Sequence, residues 1–227
     1  MNFSEDQYLN FHAHQQEPAE DEVVIQSLFL QENLITKKGD KIFFTAGLHP
    51  WHANKLSGSE ITDRLESLIN TKSIIAIGET GLDKLKGPDL KTQIKIFKAH
   101  IEIAEKYKLP IIVHSVKAHN DILKLKIDLK SSVPWVLHHF NGSKQIALDF
   151  INHGCYLSVC HHINNPNSKL SNYFGELPIE KIFLETDDFN IDIKDLYLSA
   201  AKKFNISVDY LKKQLIKNLK NLLNDSK

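Results

Sequence analysis

Short apolar segments recur along the whole chain, and each is followed by polar or turn-forming residues. Most of these segments are apolar throughout and do not alternate with polar positions. This pattern indicates strands that are buried on both faces, as in a parallel sheet. Eight strands are predicted, over residues 8–12, 23–29, 41–47, 73–78, 110–114, 134–138, 155–159 and 181–185.

Amphipathic segments lie between the later strands. In residues 90–108, Ile94, Phe97 and Ile101 recur at helical spacing, and lysines occupy the other side. Eight strands with intervening helices favour an α/β fold of the TIM (β/α)8 barrel type, in a single domain over residues 1–227. Further helices are predicted over 59–70, 118–130, 143–153, 194–205 and 207–223.

The first two connections fit this plan poorly. Residues 15–22 leave little room between His14 and the second strand, and the next link, QENLITKKGD, has little helical periodicity. We therefore predict a trimmed barrel that lacks one or two early outer helices. The flank left bare beside strands 1 to 3 would be covered by the C-terminal helix or by a second copy of the chain in a homo-oligomer.

Composition narrows the function only in part. Lys+Arg and Asp+Glu both total 28, so the chain has no net positive charge that would indicate a nucleic-acid or membrane partner. A local patch of positive charge is compatible with these totals. Arg64 is the one arginine, which leaves phosphate contacts mainly to lysine. No apolar run approaches the ~18 residues of a membrane span. Cys155 and Cys160, with no apolar leader, fit a reducing cytoplasm.

Six nitrogen- or oxygen-bearing side chains fall at the predicted carboxyl ends of strands, where a TIM barrel builds its active site. Each alone has an ordinary alternative: an exposed or hydrogen-bonded histidine, a helix cap, or a turn carboxylate. Their joint placement favours metal ligands, because burying unpaired carboxylates and imidazoles without a cation is costly. The six are His12, His14, Glu79, His114, His138 and Asp187.

This ligand set suits a divalent ion such as zinc or manganese, and six ligands are too many for one tetrahedral site. Two ions about 3.5–4 Å apart fit better. Glu79 is the candidate bridge between them. Asp187 is the candidate that orients the attacking water, accepts its proton and passes it to the leaving group.

Other candidates are weaker. His161 and His162 follow strand 7, and the favoured interpretation is loop surface, with a place at the barrel mouth as the alternative. Trp51 could stack a base or simply pack in its loop. No serine stands in a G-x-S-x-G elbow, which argues against a serine hydrolase.

An ordered set of motifs resembles the TatD family of metal-dependent hydrolases: HAH (12–14), GLHPWH (47–52), IGETGLD (77–83), LPIIVHS (109–115), HHFNGS (138–143) and LETDD (184–188). The resemblance implies a TIM-barrel hydrolase with two divalent ions (zinc, manganese or magnesium), often described as a DNase. The same six residues match the family's metal ligands, with His138 rather than His139 in the ligand position. His49 matches the histidine of the GxHP loop, where a role in substrate contact or loop shape is expected.

Three departures from the family pattern concern substrate and ligand contacts. Asn10 stands where the family usually has an aspartate two residues before HxH, and Val116 stands where it usually has an arginine. The loop after LETDD is short. The motifs predict an intact metal centre with a reduced nucleic-acid surface.

Three functions follow. The first is hydrolysis of phosphodiesters, most directly DNA. The second is hydrolysis of a small ester, amide or phosphorylated metabolite by the same centre. The third is a barrel without catalysis that acts through protein partners.

Overall fold

Eight parallel strands form one sheet in the order β1 to β8 in the computed structural model, which describes residues 3–32 and 39–225. Main-chain bridging between Ala13, at the end of β1, and Asp187, just after β8, brings the two edges of the sheet together. The predicted TIM barrel is therefore confirmed. The strands are β1 (Tyr8–Ala13), β2 (Glu22–Phe29), β3 (Ile42–Gly47), β4 (Ala76–Asp83), β5 (Ile111–Val116), β6 (Trp135–Leu137), β7 (Tyr156–Val159) and β8 (Ile182–Leu184).

The six predicted helices all form, within a few residues of the expected bounds. A further five-residue helix and several short 3-10 turns between β7 and β8 were not predicted, because their segments are too short to show helical periodicity. The helices are α1 (Gly58–Asn70), α2 (Leu90–Tyr107), α3 (His119–Asp128), α4 (Lys144–Asn152), α5 (Lys169–Tyr173), α6 (Ile193–Phe204) and α7 (Val208–Asn224).

Capping residues set where several helices begin. Ser57 accepts a hydrogen bond from the Glu60 N–H while the Glu60 carboxylate accepts one from the Ser57 N–H, which is a complete capping box for α1. Ser207 caps α7 by accepting from the Tyr210 N–H. Such caps satisfy main-chain donors that a helix cannot pair internally.

The predicted bounds of the fourth strand were wrong. The strand was expected over 73–78 with Glu79 after it, whereas β4 runs from Ala76 to Asp83 and contains Glu79 near its middle. Gly78, the last residue of the predicted strand, and Gly81 both lie inside β4. A Cβ at Gly81 would stand 2.1 Å from the His114 carbonyl oxygen, so glycine here permits close approach of β4 to β5.

The described parts of the first two connections lack outer helices, as the sequence predicted. Residues 14–21, between β1 and β2, contain no helix, and the same holds for residues 30–32 and 39–41 between β2 and β3. The remainder of that second link, 33–38, lies outside the described residues. The C-terminal helices α6 and α7 both pack against β1 and β8. Association with a second copy through the rest of this flank stays a prediction.

Aromatic rings fill the junction between the first and last strands. Phe11 of β1 stacks on Phe183 of β8 with ring centroids 4.0 Å apart, and Tyr156 of β7 follows at 5.6 Å. All three are buried. Within the described chain, no helix has both the length and the apolar character needed to span a membrane.

Candidate metal centre

Glu79 lies among the four histidines of the predicted ligand set at the barrel mouth, and its two carboxylate oxygens face different pairs of these four. Glu79 Oε1 is 2.7 Å from His114 Nδ1 and 2.8 Å from His138 Nε2. Glu79 Oε2 is 3.6 Å from Nε2 of both His12 and His14. One buried carboxylate thus contacts both pairs, which is the arrangement that a bridging ligand requires.

Asp187 completes the group around His12 and His14. Its Oδ1 lies 3.8 Å from His12 Nε2 and 3.5 Å from His14 Nε2. The main chain fixes this position: the Asp187 N–H donates to the His12 carbonyl (2.9 Å), and the His14 N–H donates to the Asp187 carbonyl (3.3 Å). The structure therefore brings together all six residues that the sequence indicated.

The donor set fits a divalent cation. His12 is fully buried, yet neither of its ring nitrogens has a hydrogen-bond partner. The separations of 3.5–3.8 Å between the His12 and His14 nitrogens and the carboxylate oxygens are too long for hydrogen bonds. Two ligand atoms that each stand about 2.1 Å from one ion lie roughly 3–3.4 Å apart. A cation would thus supply the partner that His12 lacks.

The electrostatics of the site favour positive charge. Burial raises the pKa of Glu79, but the charge of His138 and a hydrogen bond with His114 outweigh burial and hold the pKa well below its usual range. Burial lowers the pKa of His14, and the nearby carboxylates of Asp187 and Glu79 more than reverse this and raise the pKa to about 9. Because the carboxylates stay ionised, the site attracts cations.

Two carboxylates outside this set lie beside the candidate ligand histidines, and sequence reasoning missed both. Asp83 Oδ2 lies 3.3 Å from His114 Nε2 and accepts a hydrogen bond from Trp51 Nε1 at 2.6 Å. A carboxylate on the far nitrogen of a histidine fixes the ring and its tautomer, and Asp83 takes this position at His114. Glu185 Oε1 lies 3.4 Å from His138 Nδ1 without a hydrogen bond to it, and accepts one from the His139 N–H instead.

The spacing of the motifs contains the signal that could have found them. Asp83 follows Glu79 by four positions in β4, and an even separation places both side chains on one face of a strand. Glu185 precedes Asp187 by two positions in the LETDD motif, just beyond the end of β8. Because the fourth strand was predicted to end at residue 78, the shared strand face of Glu79 and Asp83 was not recognised.

The GLHPWH loop contributes His49 and Trp51, which the sequence assigned to substrate contact. His49 is buried, and its Nε2 lies 3.1 Å from Glu79 Oε1. The Trp51 N–H donates to His49 Nδ1, so His49 presents an Nε2–H to the Glu79 carboxylate. Trp51 lies at the rim, 38% exposed, with Lys86 Nζ 3.3 Å from its ring centroid.

Asn10 does not orient a histidine. Its side chain is buried and bonds to Thr186, Glu22 and Gln16. Thus the residue at the family's usual aspartate position links β1 to the segment after β8.

The site opens into a cleft of about 750 Å³. Val116 lines this cleft at the position where an arginine would stand, and Lys117 beside it supplies a positive charge. His139 and His162 line the same cleft, and His161 contacts both, so His161 and His162 reach the barrel mouth. The loop-surface interpretation of these two histidines was wrong.

Comparison with known proteins agrees with this geometry. The sequence profile of the TatD related DNase family matches residues 25–224. An uncharacterized metal-dependent hydrolase of Buchnera aphidicola is 33% identical over 169 residues, which cover 71% of this chain and 64% of that protein. The 3'-5' ssDNA/RNA exonuclease TatD of Salmonella typhimurium is 31% identical over 147 residues, or 63% of this chain and 56% of that protein.

Solved structures show the same fold. The TatD homologue YjjV of Escherichia coli superimposes with a TM-score of 0.82 at 21% identity, covering 97% of this chain and 99% of YjjV. A TatD-family hydrolase of Entamoeba histolytica gives 0.76 at 21% identity, with 96% and 98% covered. The matched region spans about three-fifths of the length of the curated relatives. On its profile match, the chain belongs to the TatD family of metal-dependent hydrolases.

Proposed function

We propose that this protein hydrolyses phosphodiester bonds, with DNA as the principal substrate, at a centre of two divalent ions. The observation that carries the proposal is Glu79, whose two oxygens face two separate groups of nitrogen ligands at the floor of an open cleft. A relative of similar sequence is named as a 3'-5' ssDNA/RNA exonuclease, which supports a nucleic-acid substrate.

The ligand groups divide around Glu79. His12, His14 and Asp187 would hold one ion together with Glu79 Oε2, and His114 and His138 would hold the other together with Oε1. Zinc, manganese and magnesium are the candidate ions. When bound, such ions lower the pKa of water toward neutrality and withdraw charge from a phosphoryl oxygen.

The chain's own groups would position the reacting atoms. His139 Nδ1 donates to Asp187 Oδ2 at 2.8 Å, so the carboxylate is fixed with Oδ1 toward His12 and His14. From there Asp187 would orient a water, accept its proton and return that proton to the leaving oxygen. The His49 Nε2–H would hold Glu79 in place.

The substrate would enter along the rim of the cleft. Trp51 exposes part of its ring, which could stack a base, and Lys117 offers a cation to a phosphate. Because valine occupies position 116, we expect weaker backbone contacts than an arginine would give.

Release of nucleotides from end-labelled single- and double-stranded DNA tests the proposal, with manganese, magnesium or zinc present. Asp187→Asn keeps the size of the side chain but removes its charge and proton-accepting capacity, and we expect at least a roughly 100-fold loss of rate. Asp209→Asn, an exposed change on α7, serves as the matched control. Undiminished activity in excess chelator would contradict the proposal.

A second candidate keeps the centre but changes the substrate to a small ester, amide or phosphorylated metabolite. The short link from Asp187 to α6, which begins at Ile193, favours it because few residues remain to contact a long polymer. Small phosphodiesters and esters assayed beside DNA distinguish the two. Tightly held metal without turnover on either panel would favour the third candidate, a barrel that acts through protein partners.

A further inference from the structure

Three histidines form a second cluster at the barrel mouth, separate from the six residues described above. His139 follows β6, and His161 and His162 begin the 3-10 turn after β7, so neighbouring strands bring them together. One ring nitrogen from each lies within 4.8 Å of the others. The ring centroids of His161 and His162 are 4.3 Å apart, and His139 lies 5.6 and 5.1 Å from them.

Two nitrogens of this cluster are buried without a partner. His139 Nε2 and His161 Nδ1 have almost no solvent contact and no hydrogen bond. A buried polar atom without a partner costs free energy, and a cation bound by these nitrogens would offset that cost.

The other nitrogen of His139 fixes its tautomer. Nδ1 lies 2.8 Å from Asp187 Oδ2, where the carboxylate can only accept, so Nδ1 carries the proton. Nε2 is therefore left with a free lone pair directed into the cluster. A carboxylate on the far nitrogen is the usual support of a metal-binding histidine.

We propose that His139, His161 and His162 form a third cation site, which takes a borderline divalent ion of the zinc type. Three imidazoles without a carboxylate suit zinc, nickel or copper better than magnesium or calcium, which prefer oxygen. Three protein ligands leave a coordination position open. The site shares no ligand with the centre around Glu79.

The surroundings of the three-histidine cluster differ from those of the centre around Glu79. The Phe189 ring lies 4.3 Å from that of His161 and forms an apolar wall on one side. His139 and His162 line the cleft on the other side, so an ion held by this cluster would border the space where substrate would lie. An ion held by neutral ligands keeps its full charge, whereas Glu79 and Asp187 offset that of the main centre.

The cluster also contacts Asp187 through His139. An ion on His139 Nε2 would hold the ring, and the ring would in turn hold Asp187 Oδ2. The third site would therefore stabilise the orientation of the carboxylate that we propose as proton acceptor. This consequence rests on the proposed function, but the existence of the site does not.

The zinc content of untagged protein tests the site directly. After loading with zinc and removal of free metal, we expect about three ions per chain in the wild type and about two in a His161→Ala/His162→Ala variant. His153→Ala, which removes an exposed histidine at the end of α4, should retain three. Circular dichroism checks that the double variant folds, and His162→Gln replaces it if it does not.

Cobalt provides a second readout that needs no activity. The cobalt-loaded double variant should absorb less visible light than the cobalt-loaded wild type, because one nitrogen-rich site has been removed. Equal metal content and equal spectra in the wild type and double variant would overturn the third site and leave the binuclear proposal standing. One ion in the wild type, lost in the double variant, would overturn the binuclear centre instead.

Discussion

His100 shows how one buried residue can control a loop of the site. It lies on α2 with no solvent exposure, and its Nε2 accepts a hydrogen bond from the Leu48 N–H in the GLHPWH loop. Its Nδ1 donates to the Ile96 carbonyl. The bond from Leu48 requires the neutral ring, because a proton on Nε2 would face the Leu48 N–H. Burial accordingly lowers the pKa of His100 to about 4.

A pH dependence of stability follows. Above pH 6.5 the ring is neutral in both folded and unfolded chains, so its contribution is fully present. Between 6.5 and about 4 only the unfolded chain binds the proton, and the free energy of unfolding should fall by about 3 kcal/mol as pH decreases through this window.

Denaturant unfolding of the wild type and His100→Gln across pH 4–7 measures this effect. Glutamine keeps the acceptor for Leu48 but does not titrate, so the difference between the two proteins should shrink as pH falls. His153→Gln removes an exposed histidine and should leave the slope unchanged. Parallel curves for wild type and His100→Gln would contradict the assignment.

At this scale the sequence predicted the six candidate ligands because strand ends and motif positions are visible in a single chain. It could not predict the role of His100, since its partner lies on another element and nothing in local spacing identifies a hydrogen bond across 52 positions, as between Leu48 and His100.

Among the elements, β4 is where local reasoning failed. Gly78 and Gly81 are typical of turns, but here the neighbouring strand β5 requires them. Gly81 pairs with His114 in the ladder, so the residue that limits approach to β5 lies opposite a candidate metal ligand. A tertiary contact, which no local pattern reveals, decided where the strand ends.

Gly81→Ala should therefore destabilise the barrel strongly. The added Cβ would meet the His114 carbonyl oxygen at 2.1 Å, and glycine's φ of +146° is unfavourable for alanine. We expect a loss of at least about 3 kcal/mol in the free energy of unfolding. Measurement in excess chelator excludes any contribution from bound ions.

Gly154→Ala is the matched control. Its φ is also positive, at +78°, but nothing lies within 4 Å of the added Cβ, so only the backbone cost of about 1 kcal/mol remains. Similar losses in the two variants would show that β4 can move away from β5.

For the whole molecule, the joint between β1 and β8 is the distinctive feature. The described residues bridge these strands by main chain at Ala13 and Asp187. At the start of β1, the Tyr8 N–H donates to the Asp21 carbonyl next to β2. Because successive residues of a parallel strand direct their main-chain groups to opposite neighbours, those of Leu9 face β8. Asn10 crosses the joint to Thr186 through two hydrogen bonds: Asn10 Nδ2 donates to Thr186 Oγ1, and Asn10 Oδ1 accepts from the Thr186 N–H. Side chains thus complete the closure, which strand patterns alone could not predict.

Tyr197 of α6 occupies the same joint. Its hydroxyl accepts from the Leu9 N–H at 2.9 Å and donates to the Leu9 carbonyl at 3.2 Å, so a helix supplies what a neighbouring strand would otherwise give. The sequence predicted that the C-terminal helix or a second copy of the chain would cover the bare flank beside strands 1 to 3. It did not indicate that α6, the helix before the last, satisfies the main chain of β1.

Tyr197→Phe tests whether this contact holds the barrel closed. The variant keeps the buried ring but leaves the Leu9 N–H and carbonyl without partners, and we expect the free energy of unfolding to fall by about 1–3 kcal/mol. Tyr210→Phe, at a site 52% exposed on α7, should change it by less than about 0.5 kcal/mol. Hydrogen exchange should report faster exchange of the Leu9 amide in Tyr197→Phe. Unchanged stability and exchange would mean that the joint repacks or admits water, and α6 would then cover β1 without closing the barrel.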